Sequence, residues 1–329
     1  DSLSRLYMVG DYTNYGYFSM VGNLFVDFGK KNQPVQNYLR GIDLSTSRGF
    51  VEYTQGDVRF NREYFCSYPD KLMALHFTAD QKGKISFSLS HLLVYQPEKV
   101  TEGKDELIFN GIIQGNGLGY TIRMKVLHQG GSIKMGHQQI TVEGADEATV
   151  FYTVDTEYSP VYPLYKGEKP RQTTEKIIKS AITKGYETVK HTHISDYQTL
   201  YNRVKFTLSG DTASEKLPTD IRVKQLQQGF TDDASLKVLW FNLSRYLLIN
   251  ASRPGTLPSN LQGVWNTFEK APWNGNFQSN INLQEMYWGC GPTQLPECEE
   301  AYLEWIEGLV EPGRKTAGEY YGTKGWVSH

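Results

Sequence analysis

The chain has 329 residues with 34 basic and 36 acidic side chains, a net charge near −2, and no basic run. That length allows a large core and two domains, and the charge excludes a nucleic-acid footprint. No stretch approaches the ~18 consecutive apolar residues of a membrane-spanning helix.

Three cysteines, Cys66, Cys290 and Cys298, are too few and too scattered for a disulfide framework or a zinc site. A Cys290–Cys298 bridge is allowed, and buried free thiols are the preferred reading. The seven histidines show no metal-ligand spacing, so no metal is expected. All six tryptophans stand at or beyond Trp240, whereas tyrosine runs throughout, so two differently built regions are expected.

To about residue 155 the apolar pattern alternates with period two. Val58, Phe60 and Tyr64 face away from Asp57, Arg59, Asn61 and Glu63. Ile85, Phe87 and Leu89 oppose Ser86, Ser88 and Ser90, and Tyr120, Ile122, Met124 and Val126 oppose Thr121, Arg123 and Lys125. Turn signals at 81–84, 114–119, 129–131 and 143–146 separate the runs. Short strands with one wet face predict an antiparallel β-sandwich.

From about residue 172 the spacing becomes helical, carried by Ile178, Ala181, Ile182 and Val189, with Gly185 as a break. The polar stretch 209–233 reads as a linker. A helix over 232–250 places Leu236, Leu239, Trp240, Leu243 and Leu247 on one stripe, capped by Asp232 or Asp233. Its remaining sides are nearly as apolar, which predicts burial between layers. A further helix over 297–310 carries Cys298, Tyr302, Trp305, Ile306 and Leu309, and Pro312 is placed to start another.

Between these helices lies a long segment, 252–292, rich in Pro, Gly, Asn and Trp. Loops of this length are functional or disordered, and its tryptophans argue against disorder. Indoles interleaved with amides suit a sugar, whose C–H face packs on the ring while its hydroxyls pair with Asn and Gln. The plainer alternative is that the tryptophans fill the core.

The stretches "LINASRPGTLPSNLQGVWN" (248–266) and "FQSNINLQEMYW" (277–288) resemble glycoside hydrolase family 95, the inverting α-L-fucosidases and their α-L-galactosidase relatives. Residues 35–70, 193–208, 217–223 and the closing "GWVSH" are similar to that family's sandwich, connector and next barrel motif. The resemblance implies an N-terminal β-sandwich at 1–170, lacking its first strands, and a helical linker at 171–233. The first helices of an (α/α)6 catalytic barrel then follow at 234–329. It further implies a glycan substrate, no cofactor, and a periplasmic or secreted location reached through a leader outside this chain.

By the same resemblance Asn280 and Asn282 orient the hydrolytic water. The resemblance places Gln278 at a sugar-contacting position and His329 in a motif at the pocket. It puts the general acid, the base and the remainder of the barrel outside this chain. Trp265, Trp273 and Trp288 are the candidate sugar platforms on composition. On an extended segment the i, i+2 spacing points both amides to one side. An Asx turn is the bland alternative for the pair. Gln278 replaces the family's usual His, which leaves L-fucose and L-galactose both open. Glu269 and Glu285 are the fallback acids. A non-catalytic carbohydrate-binding fragment and a glycoside phosphorylase are the competing functions.

Overall fold

The computed structural model describes residues 18–29, 33–210, 213–229 and 232–328. Its strands are β1 (Gly22–Asp27), β2 (Val35–Asp43), β3 (Arg48–Gln55), β4 (Val58–Ser67), β5 (Leu72–Ala79), β6 (Ile85–Leu93), β7 (Lys99–Glu102), β8 (Glu106–Ile113), β9 (Leu118–Gln129), β10 (Ser132–Gly136), β11 (Gln139–Ala145) and β12 (Glu147–Thr156). They form two antiparallel sheets, a small one in the order β1-β6-β11-β10 and a large one in the order β2-β3-β4-β5-β12-β9-β8-β7.

The core between the sheets is made by the inward-facing side chains of both. Leu89, Leu107, Phe109, Ile122, Met124, Val126, Ile140, Val142 and Val150 are fully buried there. Each such side chain contributes about 1.5–3 kcal/mol by leaving water. The predicted turn at 81–84 falls between strands, and those at 114–119 and 129–131 overlap strand ends. Residues 143–145, by contrast, belong to β11, which is kinked there by a bulge between Val142 and Ala145 with Gly144 at a positive φ.

The expectation of one wet face per strand fails for the large sheet. Thr121 and Arg123 of β9 are buried along with their apolar neighbours, because helix α1 (Pro170–Lys184) lies across β9 and β12. Helix α2 (Tyr186–Tyr201) continues after Gly185, whose φ of 74° makes the break between the two. A second core forms under these helices from Phe65, Leu72, Ala74, Phe151, Ile178, Ala181, Tyr186 and Val189. Ile182, expected on that stripe, is exposed.

Strand β4 belongs to both cores. Val58 and Phe60 point into the sandwich, while Phe65, on the opposite face, packs under α2. Tyr64, expected inside, is exposed. The alternation persists along the strand, but the small sheet covers only its first half. Arg62 marks the boundary, its guanidinium 3.4 Å from the Phe28 ring centroid and 4.9 Å from that of Tyr53.

The remaining helices are α3 (Thr219–Gln227), α4 (Ala234–Ala251), α5 (Asn282–Tyr287) and α6 (Pro296–Tyr321). The stretch 209–233, read as a linker, contains the helix α3. Asp233 caps α4 by accepting from the Leu236 amide at 2.9 Å. Its two oxygens also receive Arg222 at 2.8 and 2.9 Å, and those bonds hold the carboxyl well below the usual range.

Helix α4 is not buried between layers. It buries Leu236 of the predicted stripe in its first turn and Arg245 and Ile249, on the opposite side, in its second half, while Trp240 and Leu247 of that stripe are exposed. Arg245 donates to the Tyr201 and Leu200 carbonyls at 2.7 and 2.9 Å, so this face is set by closing the end of α2.

Pro312 does not begin a new helix; α6 runs through it as one element. Packing on both sides of the proline accounts for that. Cys298 and Ala301 are fully buried before it. Beyond it Gly313 lies so close to the returning chain that a Cβ would meet the Val327 oxygen at 2.9 Å. Cys290 and Cys298 are unbridged in a third core with Tyr197, Ile249, Leu283 and Tyr287, and burial pushes them up to about 12 and about 11.

Arg222→Leu leaves Asp233 charged, buried and unpaired, and is expected to cost about 3 kcal/mol in urea unfolding. Because the folded Asp233 pKa is depressed, this stabilisation is present at neutral pH. It is lost as pH falls below the ordinary aspartate value near 4. A wild-type midpoint that does not converge toward the variant's in acid contradicts the assignment.

Candidate functional site

The segment after α4 is fastened at its start. Ser252 is buried, with its Oγ 2.7 Å from the Tyr287 hydroxyl and donating to the Cys298 carbonyl at 2.7 Å. Arg253 gives two parallel bonds to Asp196 of α2, at 2.9 and 2.8 Å, and its guanidinium lies 4.1 Å from the centre of the Tyr68 ring. The Tyr68 hydroxyl returns a bond to the Pro254 carbonyl at 2.7 Å. One arginine therefore joins sandwich, linker helix and loop.

The β2–β3 turn docks on α2 from the other side. His193 Nε2 lies 3.1 Å from both the Thr46 and Ser47 carbonyls, so this nitrogen carries the hydrogen. Tyr197 donates to the Leu44 carbonyl at 2.7 Å, and Ser47 donates to Asn250 of α4 at 2.9 Å.

These contacts leave a cleft of about 930 Å³ between the large sheet and the loop. Its floor is the part of the sheet's inner face that the small sheet does not cover, including Tyr64, Met73 and Tyr152. Its roof is the loop through Asn260, Val264 and Trp265. Asn260 is buried and its carboxamide oxygen accepts from the Gln262 amide at 2.9 Å. Asn266 makes the same Asx turn toward Phe268, at 3.1 Å.

The segment then turns back on itself. The Leu261 amide bonds the Asn276 carbonyl at 3.4 Å, and Gln262 Nε2 bonds the Pro272 carbonyl at 3.0 Å. Trp273, Asn274, Gly275 and Gln278 all adopt positive φ, so only Gly275 of the four takes this conformation without steric cost, and the turn is strained and closed. Gln278 Nε2 donates to Asn276 Oδ1 at 2.6 Å, and its carbonyl accepts from Leu283 at 3.3 Å.

Asn280 and Asn282 sit in the turn thus closed. The expected extended geometry does not occur: residues 279–281 form a turn, and Asn282 is the first residue of α5. Leu283 and Tyr287, four residues apart, bury one side of α5. Asn282, Glu285 and Trp288 step by three along the exposed side, and Asn280 is exposed just before them.

The predicted residues therefore divide. Gln278, Asn280 and Asn282 share one turn, with Trp288 beyond the helix that follows. Trp265 lines the cleft, which none of those four residues lines. Trp273 is 75 % exposed on its own bend. His329 lies outside the described residues. Glu269 and Glu285 are exposed. Tyr64, Tyr152, Tyr246 and Asn250 were missed, since they come from elements far apart in sequence. Tyr64 alone had a signal, the change of buried face along β4.

Residues 185–329 match the glycosyl hydrolase family 95 catalytic domain, beginning at the Gly185 break, and residues 3–160 match the family 65 N-terminal domain. The chain is 31% identical to Alpha-L-fucosidase 2 of Arabidopsis thaliana, over 95% of this chain and 41% of that protein. It is 30% identical to a Probable alpha-fucosidase A of Aspergillus niger, over 98% of this chain and 42% of that one. Residues 185–329 belong to glycosyl hydrolase family 95. A solved structure, the putative kojibiose phosphorylase from human microbiome, shares the fold at a TM-score of 0.57 and 13% identity. That likeness covers 92% of this chain and 41% of the other.

The chain thus spans less than half the length of these relatives. Its family 95 segment starts with α2, the helix on which the β2–β3 turn and Arg253 both converge. Burial lowers the pKa of His193 on that helix despite its carbonyl partners. A lowered folded pKa means that the unfolded chain binds the proton more readily. Stability is therefore expected to fall as pH drops below about 6.5. His193→Phe keeps the ring stacked on Phe65, 4.6 Å away in the native protein. It should remove part of the loss between pH 7 and pH 5, with the remainder carried by His91, which burial lowers to about 4, and by His76, whose pKa burial also lowers. An unchanged pH profile of the urea midpoint would exclude His193 from this role.

Proposed function

We propose that this chain belongs to an inverting exo-α-L-fucosidase that removes terminal α-linked L-fucose from glycans. Asn280 and Asn282 orient the attacking water in this reading, and residues outside this chain supply the general acid and base. The observation that carries it is the N-I-N turn. Two carboxamides face solvent in a family 95 segment, held from beneath by Leu283 and Tyr287. A carboxamide oxygen accepts a hydrogen bond from water at any ordinary pH, so the pair fixes position without exchanging a proton. Inversion needs that water on the face of the sugar opposite the acid, with a wide gap between the two catalytic groups. A secreted or periplasmic place of action fits a glycan substrate.

The full-length gene product is expected to release L-fucose from 2′-fucosyllactose, with the β-anomer appearing first by NMR. Absence of fucose release refutes the activity, and initial α-anomer refutes inversion. Asn280→Ala and Asn282→Ala should each lower kcat on the order of 100-fold, while KM changes little. Equal losses of activity and folding stability would make the pair structural.

The α-L-galactosidase alternative rests on Gln278. Its side chain is drawn back onto Asn276, which alters the polar surface next to the asparagines where the sugar's C5 substituent is expected. Gln278→His is expected to shift the fucose-to-galactose ratio of kcat/KM. A constant ratio removes Gln278 from specificity.

A further inference from the structure

We propose that the cleft between the large sheet and the 252–266 loop is a second saccharide site, which binds an unfucosylated sugar unit of the glycan apart from the Asn280–Asn282 turn. The choice of a saccharide rests on the glycosidase reading above; the cleft itself does not.

Its volume, about 930 Å³, lies within the ~300–1,000 Å³ of small-molecule sites. The walls are mainly apolar and aromatic, with Tyr64 and Tyr152 below and Trp265 above. The indole is packed on two sides. Tyr246 of α4 stacks against it at 6.4 Å and 20°. On the loop side Gly263, at φ +63°, lets the ring lie so close that a Cβ would meet it at 3.0 Å. Half of Trp265 nevertheless remains exposed. A rigid, half-covered indole facing a cleft offers the C–H face of a sugar a platform at little entropic cost.

A polar group completes the site. Arg253 lines the cleft at 9% exposure, and its Nε–H has no partner among the described residues. A buried unmet donor costs about 1–3 kcal/mol, and because this nitrogen is closed to solvent a ligand hydroxyl meets it only if the guanidinium shifts toward the cleft. The guanidinium charge is already matched by Asp196, and Lys71 of the cleft acts on Asp155, so the site favours a neutral ligand over an ion. The cleft is a near neighbour of the N-I-N turn: its loop is hydrogen-bonded to residues 272 and 276, just before Gln278. A glycan long enough to reach both can hold its terminal fucose at one and a following sugar at the other.

The test is equilibrium binding of lactose to the 329-residue chain by calorimetry and saturation-transfer NMR. Saturable binding is expected. Trp265→Ala should weaken it about tenfold, while Trp265→Phe should stay within about threefold. Val264→Trp fills the cleft from an exposed position and should abolish binding without moving the thermal midpoint. The Asn280→Ala/Asn282→Ala double variant should bind lactose as the native chain does.

No saturable binding overturns the proposal. Binding indifferent to both Trp265→Ala and Val264→Trp overturns it as well, as does binding lost in the asparagine double variant. A protein that releases no fucose yet binds lactose through Trp265 refutes the proposed activity and leaves the cleft site standing.

Discussion

The guanidinium of Arg253 is the constraint on which the arrangement of this chain depends. It fixes α2 through Asp196, the sandwich through Tyr68, and its own loop through the Tyr68–Pro254 bond. A planar fork sets distance and angle together, which a lysine ammonium could not do. The loop's next residues inherit their place from that point, and Ser252 and Ser259 then lock it onto Tyr287. Loop, sandwich and helices are therefore held as one body exactly where the polypeptide has least regular structure, in the sense that polar contacts replace a continuous apolar core there.

Much of the sandwich was legible because a strand with one covered face writes its burial as alternation. Where the rule failed, a second layer was present. Thr121 and Arg123 look solvent-facing until α1 is laid over β9, and Tyr64 looks buried until the small sheet is seen to end beside it. Helix α4 failed in the opposite direction. Its apolar stripe is buried only at Leu236, and Arg245, a residue no hydrophobic count would choose, sets which side of the second half turns inward.

The candidate segment was legible by composition and by family motif, and not by geometry. Tryptophans and amides marked 252–292 as a site, yet they divide between a cleft and a turn. Asn274-Gly275 is a turn signal in the sequence, whereas positive φ at Trp273 and Gln278 carries none. The extended geometry expected for Asn280 and Asn282 gives way to a helix start for the same reason. Tertiary anchoring of Leu283 decides the local conformation, and a local pattern cannot report it. The cleft was hidden most completely, since its walls come from β4, β5, β12, α4 and the loop.

The two-faced character of β4 has an evolutionary corollary. Loops around the sandwich can lengthen at small entropic cost, but β4 tolerates neither insertion nor deletion within its paired length. A shift of one position would exchange Tyr64 with Phe65. The helical layer would lose an anchor in the same step that an aromatic ring was driven into the cleft. Lineages carrying this architecture are thus expected to vary the cleft by substitution along one side of β4, with the strand's reading frame held constant by the helices behind it.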